Sequence, residues 1–246
     1  MAGDGVARDY RAWHRGAGLT YFRVAVGESD LHIGARRALA GPAQKALTAL
    51  RDQLTGYIAQ HPDFLTSLAP LAVEADAPPL VCAMAAAGRA AGVGPMAAVA
   101  GAIAQRVAEA LLPESDEVVV ENGGDLYLWG RTPRVAALYA GADHPLTGRV
   151  GLRLTAEHLP MGVCTSSGTL GPSRSFGRAD AAMALSPDGA LADAVATALG
   201  NRVRTAQDLE GAVAWAAGLP GMTGALALCQ GRLAAAGRLE LVRLRA

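Results

Sequence analysis

Thr165, Ser166, Ser167, Gly168 and Thr169 follow the apolar run Met161 to Cys164, and further on Asp193 and Thr197 stand four residues apart. Hydroxyls and the unpaired N–H groups of a Gly-containing turn can surround phosphate oxygens, and Gly168 lets the backbone approach closely where a Cβ would collide. On a helix, residues four apart share a face, so Asp193 and Thr197 present a carboxylate and a hydroxyl together. That hard-oxygen pair suits Mg²⁺, which keeps waters or ligand phosphates in its remaining positions. The chemistry indicated is the holding of a phosphorylated ligand and a hard cation. Each feature alone has a plainer account: a solvated loop capping a strand, and a helix-start charge complementing the dipole.

These residues must be positioned by regular elements. Leu191, Val195 and Leu199 recur at helical spacing and Gly200-Asn201 forms a stop signal, predicting a helix from about Leu191. Upstream, Asn122-Gly123-Gly124-Asp125 lies between strand-like runs at Glu117 to Glu121 and Leu126 to Trp129, a strong hairpin signal. Leu80 to Ala91 and Met96 to Leu112 read as helices of small residues that wall a flat ring or simply pack tightly. Ala35 to about Gln60 predicts a long amphipathic helix ended by His61-Pro62. Short strands are expected at Tyr10 to His14, Leu19 to Val26 and Leu31 to Gly34. Further strands are expected between Val135 and Leu185, and a closing set from Thr223 to Leu244. Strands, helices, strands, helices and strands in that order, with short connections, predict an α+β fold of antiparallel sheets with packed helices.

The sequence ALADAVATAL resembles the A-D-x-x-x-T helix of the ApbE superfamily, the FAD:protein FMN transferases. Val120-Glu121-Asn122-Gly123-Gly124-Asp125-Leu126-Tyr127 is similar to that superfamily's strand-turn-strand with an N-G-G-D core. GPMAAVAGAIA, VENGGDLYL, CTSSGT and SFGRADA look closer still to an uncharacterised branch of it, and the resemblance spans roughly Gly92 to Val203.

It implies a T-fold-related architecture, taken here as one domain over 1–246 with at most two weakly separated lobes. It also implies FAD as ligand, held by Asn122, Gly123, Gly124, Asp125, Thr165, Ser166, Ser167, Gly168 and Thr169. Mg²⁺ on Asp193 and Thr197 would lie beside the pyrophosphate. The implied activity is Mg²⁺-dependent transfer of FMN to a Thr hydroxyl of an acceptor protein, or cleavage of the FAD pyrophosphate. The transferases carry a Lys before the N-G-G strand and a His-x-x-Asp-Pro element after the Ser-Gly turn. This chain has neither and offers Phe176-Gly177-Arg178-Ala179-Asp180, so Asp180 is the candidate base. The alternatives are a flavin-binding or carrier module without catalysis and an enzyme of another phosphorylated metabolite. Asp193→Ala is expected to weaken Mg²⁺-dependent binding and to leave the fold intact.

Composition narrows the partners. Lys plus Arg equals Asp plus Glu at 22 each, and no basic run with interleaved aromatics occurs, so nucleic acid is not expected. No apolar run reaches the ~20 residues of a membrane helix. Charges occupy the N-terminus where a signal peptide needs an apolar stretch, so a cytoplasmic location is expected. Cys82, Cys164 and Cys229 lack metal or disulfide spacing, and Cys164 reads as a small buried hydrophobe. Whether the chain forms a homo-oligomer is left open.

Overall fold

The structure, a computed structural model, describes residues 9–14, 16–167 and 177–244. A 3-10 helix, Asp9–Trp13, leads into β1 (Thr20–Val26) and β2 (Ser29–Ala35), followed by α1 (Ala40–Gln60), α2 (Asp63–Thr66) and α3 (Pro79–Ala91). A second 3-10 turn, Pro95–Ala98, opens α4 (Val99–Leu111). Then come β3 (Val118–Asn122), β4 (Asp125–Trp129), β5 (Arg134–Ala137), β6 (Val150–Leu154), β7 (Met161–Ser166) and β8 (Ala181–Ser186). The chain continues with α5 (Gly189–Arg202), α6 (Leu209–Ala217), β9 (Gly224–Cys229), β10 (Arg232–Gly237) and β11 (Glu240–Arg243). The expected α+β class, with antiparallel sheets and packed helices, is what the chain forms.

Eight strands make one antiparallel sheet in the order β1-β2-β3-β4-β7-β8-β9-β10, and β11-β6-β5 make a second of three. Because side chains alternate across a strand, the large sheet has two buried faces of different character. Ala182, Ala184, Ala225 and Ala227 turn one way into the helical core, and Met183, Leu185, Leu226 and Leu228 turn the other way, where β5 and β6 cover them. The small face lets helices sit close to the sheet. The large face fills the space between two sheets.

In α1, Ala43, Leu47 and Leu54 form the buried stripe that the periodicity predicts, and His61 caps its end. Nearly every position of α5 is buried, from Gly189 to Gly200, because α3 and α4 flank it and β7 and β8 lie beneath it. Its start is fixed by Asp188, whose carboxylate accepts the Leu191 N–H at 3.1 Å. The helix ends at Arg202, one residue past the predicted stop at Gly200-Asn201. Burial on all sides outweighs the roughly 1 kcal/mol that a helical Gly costs.

Tyr10 to His14, expected as a strand, instead forms the 3-10 turn with His14 just beyond it. From it Tyr10, Arg11 and His14 all reach toward β2 and β3. β7 also extends two residues further than the apolar run, since Thr165 and Ser166 pair with Met183 and Ala182 of β8. No helix among the described residues is by itself long and apolar enough to cross a membrane.

Candidate functional site

The β3–β4 hairpin closes through Gly123 and Gly124, both at positive φ (67° and 105°), which side chains with a Cβ rarely adopt. This brings Asn122 opposite Asp125 at the end of the two strands. The Asn122 amide donates to the Ala100 carbonyl at 3.1 Å, tying the hairpin to the first turn of α4. Asp125 accepts the Thr165 N–H at 3.0 Å, tying it to the end of β7. From the other side, Asp193 of α5 accepts the Gly101 N–H at 2.9 Å. Three stretches distant in sequence therefore meet around one cleft of about 1960 Å³, well above the roughly 300–1,000 Å³ of an ordinary small-molecule pocket.

The cleft is lined by Asn122, Gly123, Gly124, Asp125, Thr165, Ser166, Ser167, Asp193 and Thr197. Gly168 and Thr169 lie outside the described residues. The Ser166 hydroxyl is buried without a hydrogen-bond partner among the described residues, an arrangement that ordinarily costs about 1–3 kcal/mol. Ser167 is already engaged, donating to the Asp180 carbonyl at 3.0 Å.

Burial pushes both acids above the usual carboxylate range. At Asp125 the charge of neighbouring Asp193 adds to the rise. At Asp193 the N–H groups of Gly101 and Ala100 pull part of the way back, to about 7. Two buried acids, one of them raised further by the charge of the other, make a place where a cation would be welcome. Cys164, buried behind them with its thiol toward the Gly189 carbonyl, is pushed well up by burial and then by the two acids, so it stays a neutral thiol.

The sequence pattern of the family described as AbpE bacteria matches residues 11–218. The chain belongs to the ApbE-like superfamily. A UPF0280 protein of Methanocella arvoryzae is 44% identical over 194 residues, 78% of each chain. Another UPF0280 protein, from Methanopyrus kandleri, is 42% identical over 192 residues, 78% of this chain and 77% of its own. Among solved structures, the flavin transferase ApbE from Vibrio cholerae superposes with a TM-score of 0.61 at 12% identity, covering 89% of this chain and 96% of that one. At that identity the likeness is one of fold.

In this ApbE-like chain Asp180 does not join the cleft-lining set. Its carboxylate accepts the Gln230 N–H at 2.9 Å and stands 3.9 Å from the His144 ring, so it faces the β9–β10 turn. Only its backbone carbonyl communicates with the cleft, through Ser167. The expected base is thus placed elsewhere, because β8 begins at Ala181 and turns the Asp180 side chain toward β9. The small-residue helix also divides its work: Met96, Ala97 and Ala100 line the cleft, whereas Gly101 is small because it crosses Gly189 of α5.

Sequence reading missed the N-terminal wall. Tyr10, Arg11, Trp13 and His14 line the cleft, with Tyr10 and Trp13 packed on Tyr139 at centroid distances of 5.1 and 6.1 Å. Density of aromatic and basic residues in DYRAWHR was the available signal. His14 Nδ1 lies 2.9 Å from His32 Nδ1, so one ring donates and the other accepts, and the accepting ring must be neutral. Burial is the main cause that lowers His14 to about 4 from its ordinary 6.5; His32 and Arg11 lower it further, against Glu121.

A His whose native value is depressed binds its proton in the unfolded chain first, so its contribution to stability is present above about 6.5 and is lost as pH falls toward 4. Denaturant unfolding between pH 4 and 7 is expected to show this slope in the parent and a smaller one in His14→Gln. Equal slopes would remove His14 as its source.

Proposed function

We propose that the cleft binds a flavin nucleotide, FAD, together with Mg²⁺, and that the chain transfers FMN to a protein Thr hydroxyl or cleaves the FAD pyrophosphate. The observation that carries this reading is the convergence of the Asn122–Asp125 turn, the Thr165–Ser167 strand end and the Asp193–Thr197 helix face on one cleft of an ApbE-like fold. The flavin chemistry comes from the relatives that share this fold. What this chain supplies is a cavity with room for a dinucleotide and a set of donors suited to phosphate.

The donor set fits Mg²⁺ and not a softer metal. It consists of oxygens, Asp193 and Thr197 with Asp125 nearby, and no group of three or more His, Cys, Asp or Glu able to hold a metal occurs among the described residues. Such an incomplete shell suits an ion that takes its other ligands from phosphate and water. Bound there, Mg²⁺ would neutralise charge on the pyrophosphate. Ser166, with its unused buried hydroxyl, would donate to a phosphate oxygen. The Asn122 amide and the Gly123-Gly124 turn would fix the orientation of that group.

Binding without transfer is the second reading, and it is favoured by the place of Asp180 and by the lack of a Lys in Pro95–Leu111. Incubation with FAD, Mg²⁺ and a Thr-containing acceptor separates the two. Transfer yields an FMN adduct by mass and free AMP; a carrier yields neither but retains yellow colour through gel filtration. Loss of colour and of any FAD-dependent rise in Tm would remove both readings.

A further inference from the structure

Glu121 sits inside the ENGGD segment yet has no part in ligand holding as read above. Its carboxylate is buried with 1% exposure and is fully used. One oxygen, Oε1, accepts the Tyr10 hydroxyl at 2.8 Å and the Gly124 N–H at 2.8 Å. The other, Oε2, accepts Arg11 Nε at 2.6 Å. The N-terminal segment and the glycine turn are thus hung on a single carboxylate, and they share its Oε1. Arg11 continues to Asp30, with Nη1 on the carboxylate at 3.1 Å and Nη2 on the carbonyl at 2.7 Å, and His14 reaches His32. The segment lies as a strap along the cleft, held by these polar side chains and by the packing of Tyr10 and Trp13 on Tyr139.

We propose that Glu121 is a positioning residue that makes the strap and the Asn122–Asp125 turn one mechanical unit, so that the turn keeps its ligand-holding shape only while the strap is docked. The physical reason lies in the turn itself. Two glycines in succession give this backbone more freedom than any other pair of residues, and the Gly124 N–H is held by a side chain and not by the strand ladder. A carboxylate that already pairs with a partly buried guanidinium is fixed in place and can fix the turn in its own right. Without Arg11, the same side chain is an unpaired buried charge that relaxes toward water and takes its acceptor away from Gly124. By reciprocity, a ligand that settles the turn must also tighten the strap.

Hydrogen exchange on the full-length protein tests this without any ligand. In Arg11→Gln the amides of Gly123, Gly124 and Asp125 are expected to exchange about tenfold faster, the worth of one charge-assisted hydrogen bond, with α5 amides unchanged. Tyr10→Phe, which removes one hydroxyl donor and spares the ion pair, is expected to shift the same amides less. Glu121→Gln retains an acceptor for Gly124, and it is expected to restore slow turn exchange in the Arg11→Gln background, because a neutral amide no longer needs the guanidinium. Faster exchange in 9–14 with an unchanged turn would overturn the proposal, as would failure of that rescue.

A second arm rests on the reading of the cleft as an FAD site: FAD with Mg²⁺ should slow exchange in 9–14 of the parent. If FAD fails to bind the parent, the function reading falls and the exchange arm still decides the role of Glu121. If FAD binds and the strap is not slowed, the coupling is absent.

Discussion

Replacing Asp193 by Asn is expected to lower Mg²⁺-dependent FAD affinity by about 100-fold or more, the upper end of what even an outer partner of a metal ligand costs, and at the same time to raise the melting temperature of the ligand-free protein. The two effects share one cause. Asp193 is buried beside Asp125, which is costly for a charge and useful for a cation. Its value is raised to about 7 from an ordinary 3.8, so the native protein keeps a proton that the unfolded chain releases in between. That contribution is present at low pH and is lost as pH rises through 7. The gain from Asn should therefore build between about pH 4 and pH 7 and be complete above it, on the order of 1–2 kcal/mol or roughly 2–8 °C.

Asn also keeps an oxygen for the Gly101 N–H, which Ala does not. Asp193→Ala, expected from sequence to leave the fold intact, also cuts a tie between α4 and α5, so Asn is the cleaner variant. Calorimetry at pH 8 and pH 5, with titration of FAD in the presence and absence of Mg²⁺, checks both halves. An Asn variant that bound FAD and Mg²⁺ like the parent would put the cation elsewhere.

The second large effect is expected at Gly101. A Cβ there would lie 2.2 Å from the Gly189 carbonyl oxygen and 2.8 Å from the Asp193 Cβ. Relief would require moving the backbone of α5, which is enclosed by neighbouring helices and the sheet. Gly101→Ala should cost about 3 kcal/mol, the upper part of the range for overpacking, and lower Tm by roughly 6–12 °C. Gly211 is the matched control: it is also helical, but a Cβ there meets nothing within 4 Å. Gly211→Ala should be neutral or stabilising by about 0.5–1 kcal/mol. Comparable losses at both positions would show that helix contact at Gly101 is not the cause.

Much of the fold was legible because its signals are local. The Gly123-Gly124 hairpin, the α1 stripe and the alternation in the strands each depend on residues within a few positions of one another. The end of α5 was legible in the same way, since the helix stops one residue after Gly200-Asn201. The strand expected at Tyr10 to His14 failed because its polar side chains are satisfied by Glu121, Asp30 and His32, partners between 18 and 111 residues away.

Residue type and short spacing alone placed hydroxyls, a glycine turn and an Asp/Thr helix face on an α+β frame, since they settle turns, faces and donor chemistry; the ApbE-like kind of that frame came from the resemblance of its motifs to a family. Only the tertiary structure decided that Asp125 and Asp193 share one buried space, that Asp180 turns away from it, and that the N-terminal segment forms its wall. Those outcomes depend on how far apart elements come to rest once α5 is sunk between the helices and the sheet, and the strength of charge on charge depends on that distance and on the exclusion of water.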